Sequence, residues 1–112
     1  MAFSKELLKG SIELILLQTL HDLGEAYGYQ LLTAIGESSE SIFQFQESTL
    51  YPLLYRLEEK GFLQSEWKTQ SNKERRYYSL TKKGEETLLA HTLEFKHFLK
   101  GMHKVLKLTG NA

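Results

Sequence analysis

The sequence predicts a mainly α-helical domain with a small β-hairpin wing. This is a winged helix-turn-helix, extended by a C-terminal dimerisation helix. Three observations carry that prediction. Leu50, Leu53, Leu54 and Leu57 fall at i, i+3, i+4 and i+7, one apolar stripe of a helix. Lys60-Gly61 ends that helix, and two short aromatic-rich segments follow, Phe62–Trp67 and Arg76–Leu80, strand-like and separated by a polar loop. From Leu88 onward, apolar residues recur every seven positions, the period of a helix packed lengthwise on another.

The elements follow in order. Ser4 to about Leu23 reads as the first helix, with Ser4 placed to cap it. Leu8, Ile12, Ile15, Leu16, Leu20 and Leu23 form its stripe, and Leu7, Leu14 and Leu17 add apolar surface beside it. A surface helix needs one apolar face, so this one is expected to have two partners, its own domain and a second subunit. The plainer alternative is a helix central to one small domain. Asp22–Ala26 reads as a turn, and Tyr27 to about Ile35 as the second helix, with Leu31, Leu32 and Ile35 inward. Gly28 either allows close helix packing or begins the helix. Gly36–Glu47 reads as a loop in which Ile42, Phe43 and Phe45 pin a short strand or turn on the core.

The third helix turns Ser48, Tyr51, Pro52, Tyr55, Arg56 and Glu59 away from its leucines. Ser48 or Thr49 is placed to cap it, and Pro52 to lie in its first turn. Small hydroxyls, tyrosines and an arginine thus share the exposed start of a helix, where backbone N–H groups also attract phosphate. The segment Lys68–Arg75 has no apolar residue and reads as the hairpin loop, with Lys68, Lys73, Arg75 and Arg76 as its cations. The bland readings are half-buried packing tyrosines and a solvated loop. Read together, the segments suit double-stranded DNA. Tyr51, Tyr55 and Arg56 are the candidates for the groove and its rim, Ser48 and Thr49 for phosphate at the helix start, and Lys73, Arg75 and Arg76 for the backbone.

Thr81 opens the last helix, with Glu85 and Glu86 near its start. Leu88, Phe95 and Met102 make one seven-residue series and Thr92, Leu99 and Leu106 another, broadened by Phe98 and Val105. A helix this apolar that extends past its own domain calls for an external partner, and a two-fold homodimer is the commonest solution. Folding back on its own domain is the alternative. The expected interface is Leu8, Ile12 and Leu16 with Leu88, Phe95, Phe98, Leu99, Met102 and Leu106. Gly101 should weaken or bend the helix, and Leu108–Ala112 should fray. The expected division is residues 1–84 for the DNA-binding unit and 85–112 for dimerisation.

Composition narrows the function. A length of 112 residues suits one domain. There is no cysteine, which removes disulfides and thiolate metal sites and suits a reducing compartment. The N-terminal residues lack a signal-peptide pattern, and the longest apolar run is Leu14–Leu17. The expectation is a soluble, cytoplasmic protein without a membrane partner. Net charge is zero, yet Ser48–Gly84 carries eight Lys and Arg against four Glu. His91, His97 and His103 are six residues apart, the wrong spacing for a helical zinc pair, and Asp22 is the lone aspartate. No phosphate-binding glycine loop is present. The chain therefore reads as no enzyme, with no catalytic residue, metal or cofactor.

The segment Ser48-Thr49-Leu50-Tyr51-Pro52-Leu53-Leu54-Tyr55-Arg56-Leu57-Glu58-Glu59-Lys60-Gly61 resembles the signature of the PadR family of bacterial transcriptional regulators. Arg76–Gly84 resembles the family's wing-to-helix segment, and Leu8–Ser11 with Tyr27–Leu31 is similar to its first two helices. The likeness runs from about Leu7 to Leu89. It implies a dimeric DNA-binding protein, usually a repressor, of the short form with a single C-terminal dimerisation helix. It also implies a small apolar or aromatic effector in some relatives, for which Phe95, Phe98, Met102 and the first-helix leucines are the candidate lining. Members that take flat aromatic drugs carry a tryptophan in the dimer helix; here the one tryptophan, Trp67, is in the wing, which argues against that ligand class. The competing function is an interaction module that uses the same fold to hold another protein. Glu58 and Glu59 point that way, Arg56 and the wing the other.

Overall fold

Leu50, Leu53, Leu54 and Leu57 sit at the centre of the molecule, each almost wholly buried. They belong to α4 in a computed structural model that describes residues 3–108. The element order is α1 (Lys5–Leu8), α2 (Ile12–Leu23), β1 (Glu25–Ala26), α3 (Gly28–Ser38), α4 (Glu47–Glu59), β2 (Leu63–Gln70), β3 (Lys73–Leu80) and α5 (Lys82–Leu106). The strands form an antiparallel sheet in the order β1-β3-β2. Around the α4 leucines pack Leu16, Leu17 and Leu20 of α2, Leu31 of α3, Ala26, Leu63 and Tyr78 of the sheet, and Leu88 of α5. Burying a leucine contributes roughly 1.5–3 kcal/mol, so this cluster is the main source of stability. No helix among the described residues is long and apolar enough to cross a membrane.

The first helix departs from expectation. Ser4 does cap it, accepting the Leu7 N–H at 3.1 Å. The helix stops after one turn, however, because Gly10 takes φ +84°, and α2 begins at Ile12. α2 continues through Leu23, past the start of the expected turn, and Gly24 at φ +83° ends it. Glu25 and Ala26 are then not merely a turn: they pair with Ser79 and Tyr78 and add a third strand to the wing. Two residues are too few to show a period in sequence.

Gly28 serves both roles proposed for it. It is the first residue of α3, and a Cβ there would run into the Tyr51 phenol of α4. α3 extends three residues beyond Ile35. The following turn is held by Ser39, whose hydroxyl donates to the Ile35 carbonyl at 2.7 Å and accepts from the Phe43 N–H at 3.0 Å. Phe43 packs between Phe3, tilted against it, and Phe45, stacked on it, with centroids 5.3 and 5.8 Å away. No strand forms there, and Ile42 points to solvent.

The hairpin is longer and its loop shorter than the polar run suggested. Lys68, Thr69 and Gln70 pair with Arg75, Glu74 and Lys73, leaving Ser71 and Asn72 as the turn. Both have positive φ, 51° and 62°, the two-residue turn whose twist matches the strands.

α5 runs unbroken through Gly101, so the anticipated weak point does not interrupt it. Its start is clipped to the end of α4. The Thr81 hydroxyl accepts the Gly84 N–H at 3.0 Å and donates to the Gly61 carbonyl at 2.6 Å, and Lys83 Nζ donates to the Lys60 carbonyl at 3.0 Å. His21 on α2 lies 2.9 Å from Glu85. Of the tail expected to fray, Leu108 follows the helix and the rest lies outside the described residues.

Two glycines in α5 make opposite predictions. A Cβ at Gly84 would overlap the Phe62 carbonyl, whereas at Gly101 it would meet open space. Gly84→Ala should lower unfolding free energy by about 1–3 kcal/mol or more, and Gly101→Ala should raise it by up to about 1 kcal/mol. Urea denaturation followed by circular dichroism reads both.

Candidate nucleic-acid interface

The α4 leucines face inward, so its other side faces out. Ser48, Thr49, Pro52, Tyr55, Arg56 and Glu59 are exposed and Tyr51 is half-buried. The helix begins earlier than Ser48 or Thr49 would place it. Gln46 is the N-cap residue and makes no side-chain cap bond, Glu47 is the first helical residue, and Ser48 and Thr49 lie in the first turn. Pro52 accordingly falls in the second turn, not the first, and has no N–H to offer the Ser48 carbonyl one turn back.

Tyr51 packs on Gly28, and its ring centroid is 6.4 Å from that of Tyr55. Burial, helped by the Glu47 carboxylate and by Tyr55, pushes the Tyr51 phenol above its ordinary pKa. Burial does the same at Tyr78, against the pull of Arg76. Both remain protonated donors at neutral pH. Tyr55 is half exposed, at 50%. Arg56 is equally free apart from a long contact, 3.8 Å, to Glu13 of α2.

The wing cations divide into two groups. Arg76 is committed to the protein: Nη2 donates to Glu58 at 3.0 Å and Nε to the Ser65 hydroxyl at 2.9 Å, while that hydroxyl donates to Glu58 at 2.7 Å. Its guanidinium also lies over Tyr78 and Tyr55, at 5.6 and 5.9 Å. This closed ring braces the hairpin against α4. Lys68 is held by Glu25 at 2.8 Å and Glu66 at 3.3 Å, and the bond to Glu25 raises its pKa further. Lys73 and Arg75 have no carboxylate partner among the described residues. Arg75 instead lies over the Tyr27 ring at 4.4 Å.

Between α4, the start of α3 and the wing lies a cleft of about 330 Å³, walled by Tyr27, Tyr29, Tyr51, Tyr55, Trp67 and Arg75 among others. The structure thus brings Tyr51, Tyr55, Arg75 and Arg76 to one cleft and leaves Arg56 and Lys73 exposed. Tyr27, Tyr29 and Trp67 are wall residues that the sequence reading did not single out. Helix and hairpin register place them there, and no local pattern announces it.

The residues expected at a subunit interface are spread over different environments. Leu16 and Leu88, 1% and 6% exposed, are occupied in the protomer's own core, which takes their side chains off the surface. Leu8, Ile12 and Phe95 are half-buried, and Phe98, Leu99, Met102 and Leu106 are exposed along α5. Two cavities, about 500 and 330 Å³, flank α3, and Phe95, Phe98 and Met102 line neither. Among the described residues, no group of three or more His, Asp and Glu is arranged to hold a metal ion.

A model of the PadR-like family of transcriptional regulators matches residues 16–90, from α2 into α5. The chain belongs to this family. PadR-like regulators are DNA-binding proteins and not enzymes. Solved structures agree. A transcriptional regulator of Clostridium thermocellum is 27% identical, covers 89% of this chain and 97% of its own, and superposes with a TM-score of 0.82. A PadR family transcriptional regulator of Eggerthella lenta is 32% identical, with 93% and 88% covered and a TM-score of 0.79. A PadR-like transcription factor of Bacteroides fragilis is 30% identical, with 89% and 94% covered and a TM-score of 0.75.

In this PadR-like regulator the brace makes a prediction of its own. Glu58→Ala and Arg76→Ala should each destabilise the fold by about 1–3 kcal/mol, since each leaves a part-buried charge unmatched. Their double mutant should show a coupling of about 0.5–3 kcal/mol. Lys73→Ala should stay within about 0.5 kcal/mol of wild type. Thermal denaturation of the four variants measures this.

Proposed function

We propose that this PadR-like regulator is a cytoplasmic homodimeric repressor that reads an inverted-repeat operator. The observation that carries the reading is the exposed Tyr55 and Arg56 side of α4, standing beside a wing whose Lys73 and Arg75 have no carboxylate partner among the described residues. α4 enters the major groove. Tyr51, Tyr55 and Arg56 take base edges and the groove rim, Ser48 and Thr49 take phosphate at the helix start, and Lys73 and Arg75 hold the flanking backbone. Arg76 acts through Tyr55 and Glu58, as a brace. Repression follows from occupying a promoter.

The exposed apolar run Phe98, Leu99, Met102 and Leu106 supports pairing of two copies through α5, with Leu8 and Ile12 at its margin. Residues 1–84 then read DNA and 85–112 join the copies, presenting two α4 helices about 34 Å apart. An effector site bounded by Phe95, Phe98 and Met102 would exist only between copies. A protein-interaction module is the competing reading, but Glu58, part of its acidic case, is already taken by Arg76.

Fluorescence anisotropy against the duplex upstream of the protein's own gene tests the reading. Binding should weaken steeply between about 50 and 200 mM salt. Lys73→Ala or Arg75→Ala should flatten the salt slope by about one unit on every sequence. Arg56→Ala should cost about 1–3 kcal/mol on the operator and little on random duplex. Light scattering should return twice the 13.0 kDa chain mass. Salt-insensitive or absent duplex binding would favour the interaction module.

A further inference from the structure

We infer that Tyr27, at the start of α3, positions Arg75 for a phosphate of the DNA backbone, so that one strand crosses the mouth of the cleft beside α3. This role rests on the DNA-reading function proposed above and adds a positioning residue to it. Arg75 is half-buried, yet its guanidinium has no ion-pair or hydrogen-bond partner among the described residues. It lies instead over the Tyr27 ring, 4.4 Å from the centroid. Such a contact uses the flat face of the guanidinium. Its five N–H donors lie in the plane and stay open to an acceptor, and their fork matches the oxygens of a phosphate. Arg76, the next residue, differs on this point, because its donors go to Glu58 and Ser65.

Tyr27 is a fixed platform. Its ring meets the buried Tyr77 edge-on, with centroids 5.4 Å apart and planes at 78°. The Tyr77 hydroxyl is anchored in turn, donating to Gln70 at 2.9 Å. The Tyr27 N–H donates to the Gln30 side chain at 3.1 Å, which fixes the backbone that carries the ring. A cation held on such a platform has less rotamer freedom to lose on binding than the exposed Lys73 near the hairpin turn. The surroundings leave room for a strand of DNA. β1 pairs with Ser79 and Tyr78 only, so no strand covers the edge of β3 from Lys73 to Tyr77, and the cleft opens beside it. Alternation along β3 puts Lys73, Arg75 and Tyr77 on one face, and Glu74, a carboxylate of the cleft wall, on the other. The plainer role for the Tyr27–Arg75 stack is a second brace of the wing. A brace affects stability and leaves the salt dependence of DNA binding alone.

Anisotropy titrations at several salt concentrations, on the duplex upstream of the protein's own gene and on a random duplex, separate the two roles, with melting curves verifying that each variant is folded. Arg75→Ala should lose about 5-fold in affinity near 0.15 M salt and about one unit of salt slope on both duplexes. Tyr27→Leu should weaken binding about 2- to 5-fold, and Tyr27→Phe, which keeps the ring face, should recover most of that loss. The double variant Tyr27→Leu/Arg75→Ala should bind no more weakly than Arg75→Ala, because the ring acts only through the guanidinium. An Arg75→Ala variant with a lower melting temperature and an unchanged salt slope would make the stack a brace and overturn the inference. So would a folded Tyr27→Leu that binds like wild type, or a double variant whose losses multiply. Each of these leaves the DNA-reading function standing. If Tyr27→Leu does not fold, Arg75→Lys decides: it keeps the charge but has no planar group to lay on the ring, so it should bind about 2- to 5-fold more weakly, and wild-type affinity would overturn the role of Tyr27. A wild-type protein without salt-sensitive duplex binding would overturn both this role and the function it serves.

Discussion

Four leucines on one side of the thirteen-residue α4 fix which way the molecule faces. Their burial against α2, α3, the sheet and the start of α5 leaves one orientation for that helix, and with it one exposed side. Rotating α4 by a single residue position would put a leucine in water and a tyrosine or arginine in the core, at a cost of several kcal/mol. The polar side of α4 is therefore positioned by packing beneath it, and the residues it exposes need little support of their own.

The wing is aligned by other means. Its strands bury Leu63 and Tyr78 on the core face and Tyr77 on the other face, against Tyr27, and become exposed toward the turn. Packing alone would leave the outer half free to twist. The Glu58–Ser65–Arg76 ring ties it to α4, and the Glu25–Lys68 pair ties it to the strand after α2. A cation used this way already has a carboxylate beside it, which makes a count of basic residues a poor guide to the size of a nucleic-acid contact. Of the four wing cations, two hold the hairpin and two, Lys73 and Arg75, have no carboxylate partner among the described residues.

The parts of the fold legible in sequence are those with a period. The α4 stripe, the seven-residue series of α5 and the aromatic strands were visible because burial repeats at 3.6 or 2 residues. The parts that were not legible depend on single residues or on partners distant in the chain. Gly10 splits the first helix through one backbone angle, and Ala26 becomes a strand because Tyr78 lies opposite it. The Lys68–Arg75 run looked like a loop because both its strands are polar, yet Ser71 and Asn72 alone make the turn. At the candidate site, Tyr51, Tyr55 and Arg56 could be placed from helical angle. The commitment of Arg76 could not, because it needs the register that brings Ser65 and Glu58 to it. The start of α4 at Glu47 could not be read either, because serine and threonine are stronger capping signals than the glutamine that stands at the cap.

The clip between Thr81, Lys83 and the end of α4 has a mechanical consequence. β3 passes into α5 through Thr81 alone, and that residue is bonded to Gly61, so no slack separates the long helix from the helix that faces outward. The clip acts as a fulcrum. With about 37 Å of helix on its far side, a tilt of roughly 5° displaces the tip by about 3 Å, and the same rotation at the near side re-aims α4 as one rigid body. A tilt of α5 about the clip would thus be carried through Gly61 and Lys60 to the end of α4.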